Sequence, residues 1–210
     1  MPALSKEQKR FLEKYTLQYM EHLDEEAEYL EGRGLLELAR SRGLGVVRNP
    51  PPQHSMFEGS IAIPYLTDFG PVNMRFRCMK NHDCKEFNHG KYSMMKGWHA
   101  NLYNVQQFSE AEDWIAVTEG EFDALTLQAS GIPAVGVPGS TMWKEHWPNV
   151  FEDFSIVYVF TDGDTAGEKM WERWSHEVSN CVRVKMPSGE DVNSFFLRHG
   201  AEALRAKVKR

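Results

Sequence analysis

The chain has 210 residues, a formal net charge of −6, and 41% hydrophobic and 12% aromatic residues, enough apolar material for one ordinary domain or two small lobes sharing a site. No run of about eighteen apolar residues occurs, which argues against a membrane span, and the start, MPALSKEQKRFLEKY, lacks the apolar stretch of an export signal. The cysteines, Cys78, Cys84 and Cys181, are odd in number, so free thiols and a cytoplasmic location are expected rather than a disulfide framework.

Residues 5–31 read as helical, with Phe11, Leu12, Tyr15, Tyr19, Leu23 and Ala27 near a 3.6 period and Ser5 as N-cap. A short helical hairpin follows over 29–40 and closes at Gly43. Three consecutive prolines make 48–55 a loop. Residues 60–66 and 72–78 form a β-hairpin about Asp68-Phe69-Gly70, and 79–100 are irregular, basic and rich in His, Met and Gly. From Trp114 the pattern becomes alternating strand and helix: strands at 114–118, 133–137, 155–161 and 181–185, helices at 121–130, ended by Gly131, and at 166–179. Successive βα units of this length predict an α/β fold with a parallel sheet flanked by helices.

Charge is unevenly placed. Residues 1–31 carry eight acids against four bases, whereas residues 71–100 carry six bases against two acids, a local +4. A basic surface of that kind suits an anionic template and nucleotides; a solvated charged face is the plainer reading.

Three acidic clusters, VTEGEFD at 117–123, FTDGD at 160–164 and GEDVN at 189–193, each follow a strand-forming run. That is where a parallel α/β sheet delivers side chains to a site. Carboxylates gathered there repel one another unless a cation neutralises them, so Mg²⁺, or Mn²⁺, is the expected cofactor and phosphate chemistry the purpose. Glu119, Asp162 and Asp164 are the expected catalytic acids. The same three with Asp191 are the expected metal ligands, with Asp123 and Asn193 supporting them from behind. Any one of these acids also reads as a turn residue or helix cap, Asp191 in particular. Cys78, His82, Cys84 and His89 are the right ligand types for Zn²⁺, but their spacing fits no standard knuckle; two free thiols, with the imidazoles facing phosphate or solvent, are expected instead. Trp98, Tyr92 and Trp143 are candidates for base stacking, while Trp171 and Trp174 read as packing residues.

EGEFDAL, FTDGDTAG and PSGEDVNSF together resemble the Toprim signature, and YLEGRGLLELARSRGLG at 29–45, IAIPYLTDFGPVNMRFR at 61–77, GKYSMM at 90–95 and NLYNV at 101–105 resemble the segments that precede it in the catalytic core of DnaG-type bacterial and phage primases. The resemblance implies a helical extension at 1–28, a smaller mixed α+β basic subdomain at 29–105, a Toprim domain at 106–200 and a basic tail at 201–210. It implies synthesis of short RNA primers on single-stranded DNA from ribonucleoside triphosphates, with Arg75, Arg77 and Lys91 facing nucleotide or template. A replicative helicase and a separate zinc-domain subunit would be further partners in a bacterial or phage-infected cytoplasm. A Toprim metal-dependent nuclease, or a noncatalytic nucleic-acid-binding accessory protein, is the alternative reading.

Overall fold

A computed structural model describes residues 4–87, 89–139 and 142–208. The chain divides into two units, Met1–His99 and Ala100–Arg210. No helix of the described residues is long and apolar enough to cross a membrane.

In the first unit, α1 (Lys6–Met20) starts at Ser5, whose hydroxyl accepts from the Gln8 amide while the Gln8 side chain returns to the Ser5 amide. These reciprocal bonds satisfy two orphan donors. The helix expected to run on to residue 31 stops at Met20. A 3₁₀ turn, Leu23–Glu26, precedes α2 (Ala27–Glu31), and α3 (Leu36–Ser41) follows. Leu23 and Leu30 are buried, and turning both inward prevails over the local helical preference of the intervening acids. The proline-rich segment also differs from expectation, because Pro52–Phe57 is a 3₁₀ helix with proline in its first turn. Proline suits that position since its missing N–H has no helical acceptor there.

Four antiparallel strands, β1 (Gly45–Val46), β2 (Ile61–Thr67), β3 (Gly70–Arg77) and β4 (Tyr92–Met94), form a sheet in sequential order. The β2–β3 hairpin pairs Ile61 with Arg77 and Thr67 with Gly70. β4, inside the stretch expected to be irregular, pairs Tyr92 with Arg77. Leu12 and Tyr19 of α1 pack with Val47, Phe57, Ala62, Met74 and Phe76 in this unit's core. Positions 1–3 of the expected extension lie outside the described residues.

The second unit begins with a short helix, α4 (Gln107–Glu110), followed by β5 (Trp114–Thr118), α5 (Glu121–Ala129), β6 (Ala134–Gly136), β7 (Ile156–Thr161), α6 (Thr165–Glu177), β8 (Cys181–Lys185) and α7 (Val192–Arg205). The strands are all parallel in the order β6-β5-β7-β8. Alternation along them makes both faces apolar. Ile115, Val117, Val157 and Val159 meet Met170 and Trp174 of α6, while Ala116, Tyr158, Phe160 and Val184 meet Leu127 of α5 and Val192 and Phe195 of α7. Each Val, Ile, Leu, Phe or Met among them contributes about 1.5–3 kcal/mol when fully buried, which accounts for helices on both faces. α7 is broken at Gly200, whose φ of +79° departs from the helix. Of the tail expected at 201–210, residues up to Arg205 are helical and Leu204 is buried, and positions 209 and 210 lie outside the described residues. The strand order reverses between β5 and β7, and the crevice beyond their carboxyl ends is where an open parallel sheet binds ligands.

Candidate active site

Glu119 follows β5 and Asp162 follows β7, so the two acids emerge on either side of the switch point. The Asp162 amide donates to Glu119 Oε1 at 3.3 Å. Burial, followed by the negative charges of Asp123, Glu119, Asp191 and Asp164, pushes the Asp162 carboxyl up to about 8. Burial also raises Glu119, with the Asp162 amide opposing and the Asp164 charge assisting. All three acidic clusters thus send a carboxylate into one electrostatic neighbourhood around Asp162.

Backbone packing brings them there. Gly163 N–H donates to Glu190 O at 3.0 Å and Gly189 N–H donates to Gly163 O at 3.2 Å, which ties the second acidic turn to the third. A Cβ on Gly163 would lie 1.9 Å from the Pro187 carbonyl oxygen, and one on Gly167 would lie 2.2 Å from the Asp162 carbonyl oxygen. Real side chains do not tolerate such approaches to backbone, so glycine is required at both positions for contact rather than for φ.

Asp164 and Asp191 are helix caps as well as members of the cluster. Asp164 Oδ1 accepts from the amides of Ala166 at 2.8 Å and Gly167 at 3.0 Å, which starts α6. Asp191 Oδ1 accepts from the Ser194 amide at 2.6 Å, and Ser194 Oγ accepts from the Asp191 amide at 3.0 Å. Capping and ligation are compatible, because a carboxylate has two oxygens and each cap uses one. Asp123 and Asn193 meet: the Asn193 amide donates to Asp123 Oδ1 at 3.2 Å. Asn193 is buried and donates through Nδ2 to Thr126 Oγ1 at 2.9 Å, joining α7 to α5. The first charge acting on Asp162 is that of Asp123, so this residue, expected to support the acids from behind, acts on the cluster through its charge.

The donors around Asp162 are all carboxylate oxygens, the hard set that suits Mg²⁺ or Mn²⁺. An Asp carboxyl pushed up first by burial and then by four neighbouring carboxylates marks a site with surplus negative charge, and a divalent cation would balance it. The residues therefore fit the cofactor expected from the sequence.

A groove of about 680 Å³ opens beside Glu119, with Trp143, Lys169, Met170, Arg173 and Trp174 among its lining residues. Arg173 lies 5.7 Å over the Trp143 ring, and Trp174 is a core residue. Lys169 and Arg173 were not singled out from the sequence. Their four-residue spacing on the helix after FTDGD placed both cations on one helical face, and that was the available signal.

Of the basic residues in the first unit, Arg77 is only 6% exposed. Its Nη1 donates to the Tyr92 hydroxyl, and its guanidinium lies 4.9 Å over the Tyr92 ring and 5.7 Å over that of Tyr29. Arg75 also lies over the Tyr92 ring, at 5.3 Å. Lys91 is exposed, and its carbonyl accepts from the Cys78 amide at 2.9 Å. The three cysteines are free. His82 and His89, however, face the thiols rather than solvent: one ligand atom from each of Cys78, His82, Cys84 and His89 lies within 4.8 Å of the others.

Residues 116–196 match the Toprim-like family. The chain is 34% identical over 158 residues to the Gene 57 protein of Mycobacterium phage D29, covering 73% of this chain and all of that protein. It is 30% identical over 112 residues to a DNA primase of Aquifex aeolicus, covering 51% of this chain and 22% of that protein. The chain thus spans about a fifth of that primase's length. Its fold superposes on the RNA polymerase domain of Mycobacterium tuberculosis primase DnaG with a TM-score of 0.76 at 20% identity, covering 98% of this chain and 84% of that one.

Proposed function

This chain belongs to the family of Toprim-domain, DnaG-type primase proteins, and on that premise we propose that it is a primase catalytic core, synthesising short RNA primers from ribonucleoside triphosphates on single-stranded DNA. The observation that supports this most is the convergence of Glu119, Asp123, Asp164 and Asp191 on Asp162 at the strand switch point.

In the reaction, a 3′-hydroxyl forms a bond to the α-phosphorus of the incoming nucleotide, the bond from that phosphorus to the bridging oxygen breaks, and pyrophosphate leaves. Glu119, raised by burial, is suited to take the hydroxyl proton, since a base works best when its pKa approaches the working pH. Asp162, Asp164 and Asp191 would hold Mg²⁺ or Mn²⁺, which supplies charge neutralisation at the attacking and leaving oxygens. The amide bonds to Asp164 and Asp191 fix those carboxylates before any ligand arrives. Asp123 and Asn193 brace the first and third clusters through their mutual bond. Lys169 and Arg173, lining the groove that contains Glu119, would receive phosphate oxygens, the Arg through its bidentate fork. Arg75 and Lys91 would contact template or nucleotide, while Arg77 would act from within by holding Tyr29 and Tyr92. A replicative helicase and a zinc-domain protein are proposed as partners, in a bacterial or phage-infected cytoplasm.

Incubation with single-stranded DNA, labelled ribonucleotides and Mg²⁺ or Mn²⁺ tests the proposal. Short labelled RNA is expected. Degradation of the template without synthesis would replace this reading with a metal-dependent nuclease.

A further inference from the structure

The connection between β3 and β4, residues 78–91, draws little order from apolar burial. Phe87 is 61% exposed and stacks on His82 at 4.4 Å between ring centroids. Of residues 80–87 and 89–91, only His82, Cys84 and His89 are partly buried; the others are exposed. With Cys78 at the base of the loop, these three turn inward toward one another. A connection this long whose described residues form no helix or strand needs something else to hold it.

We propose that Cys78, His82, Cys84 and His89 form a structural Zn²⁺ site that organises this loop. The ligand atoms all lie within 4.8 Å of one another, and Cys78 Sγ is already 3.5 Å from His82 Nε2. Tetrahedral Zn²⁺ with sulfur and imidazole bonds of about 2.3 and 2.0–2.1 Å separates neighbouring ligands by roughly 3.6 Å, so one edge is in place and the others close by little more than about 1 Å. His89 is oriented for the role, because its Nδ1 lies 3.0 Å from the Gly90 carbonyl oxygen. That contact fixes Nδ1 as the protonated nitrogen and leaves Nε2 as the donor, the arrangement that metal-bound imidazoles commonly show. The Cys78 amide donates to Lys91 O at 2.9 Å, and the His89 amide donates to Cys84 O at 3.1 Å. Both ends of the loop are thus clasped by backbone bonds beside ligand positions.

Two thiolates and two neutral imidazoles balance the charge of one Zn²⁺, and this nitrogen and sulfur set selects against the hard cations that suit the carboxylates around Asp162. The ion would fix the loop that carries Lys80, Lys85 and Lys91 and the entry to β4, where Tyr92 meets Arg77.

The test is metal analysis of the full chain, purified without chelators or metal-affinity resin, beside Cys84→Ser, the double variant Cys78→Ser/Cys84→Ser, and Asp162→Asn. Near-stoichiometric zinc is expected in the wild type and in Asp162→Asn, falling to trace level in both cysteine variants. Reduced wild-type protein titrated with Co²⁺ should develop thiolate-to-cobalt charge-transfer bands and the intense visible bands of tetrahedral coordination, which Zn²⁺ then displaces. This readout needs no variant to fold, and it supports the site even if zinc is lost in purification. Trace zinc together with no cobalt bands would overturn the proposal, as would zinc retained undiminished in the double cysteine variant.

Discussion

Asp162→Asn should stabilise the metal-free protein while removing its function. The Asp162 carboxyl is pushed from its ordinary 3.8 up to about 8, first by burial and then by Asp123, Glu119, Asp191 and Asp164. A carboxyl raised in the folded state contributes stability that is full below pH 3.8 and is lost as pH rises toward 8. At pH 7 the displacement sets a ceiling of about 4 kcal/mol on that loss; allowing for relaxation and water, about 2–4 kcal/mol is expected. Asparagine keeps the shape and removes the charge. In EDTA at pH 7–8 the variant should therefore melt roughly 5–10 °C above wild type, and at pH 5 the gap should shrink below about 2 kcal/mol. Added Mg²⁺ should raise the melting temperature of the wild type and leave the variant nearly unmoved. Thermal unfolding by circular dichroism at both pH values, with and without Mg²⁺, provides the measurement. A variant no more stable than wild type in EDTA at pH 8, or a gap that does not change with pH, would refute the repulsion argument.

Gly163→Ala should cost about 2–3 kcal/mol and weaken Mg²⁺ binding, because the added methyl would sit 1.9 Å from Pro187 O and drive the second and third acidic turns apart; wild-type urea midpoint and Mg²⁺ affinity in this variant would contradict the packing account. His54 is buried, with Nδ1 2.8 Å from the Tyr19 hydroxyl and Nε2 3.1 Å from Met95 Sδ, and burial lowers it from 6.5 to about 4. Its contribution is full above pH 6.5 and falls away toward pH 4, by up to about 3 kcal/mol. The stability difference between wild type and His54→Gln should shrink accordingly between pH 7 and 4.5, and an NMR titration of His54 in the folded state with a midpoint near 6.5 would count against it.

Local signals made the Toprim half of the chain readable before the structure. β5 and β8 fall at residues 114–118 and 181–185 as expected, since β5 carries Ile115, Val117 and Thr118 and β8 alternates Val182 and Val184 with other residues before the Pro187-Ser188-Gly189 turn. Each acidic cluster was correctly placed behind a strand because the boundary is written in the same few residues. Features that depend on distant partners were less legible. β4 is three residues long and exists by pairing with β3, and the helix break after Met20 follows from where Leu23 and Leu30 are buried. The caps made by Asp164 and Asp191 were visible only as an alternative to ligation, whereas the geometry lets each carboxylate serve both purposes. The supporting role of Asp123 was legible, but its bond to Asn193 was not, since it depends on the fold of α5 against α7 and joins residues seventy positions apart. The approach of His82 and His89 to Cys78 and Cys84 was likewise hidden, since irregular backbone has no period from which spacing in sequence can be converted to distance.

Primer synthesis by wild type and Asp164→Asn on single-stranded DNA, with labelled ribonucleotides and Mg²⁺, is the most direct test of the central claim. Asparagine can still accept from the Ala166 and Gly167 amides, so α6 keeps its cap and loss of activity reports the missing charge rather than a lost fold. Short RNA from the wild type, reduced by about 10²-fold or more in the variant, is predicted. Equal synthesis by both proteins, or cleavage of the template with no RNA made by either, would contradict the account.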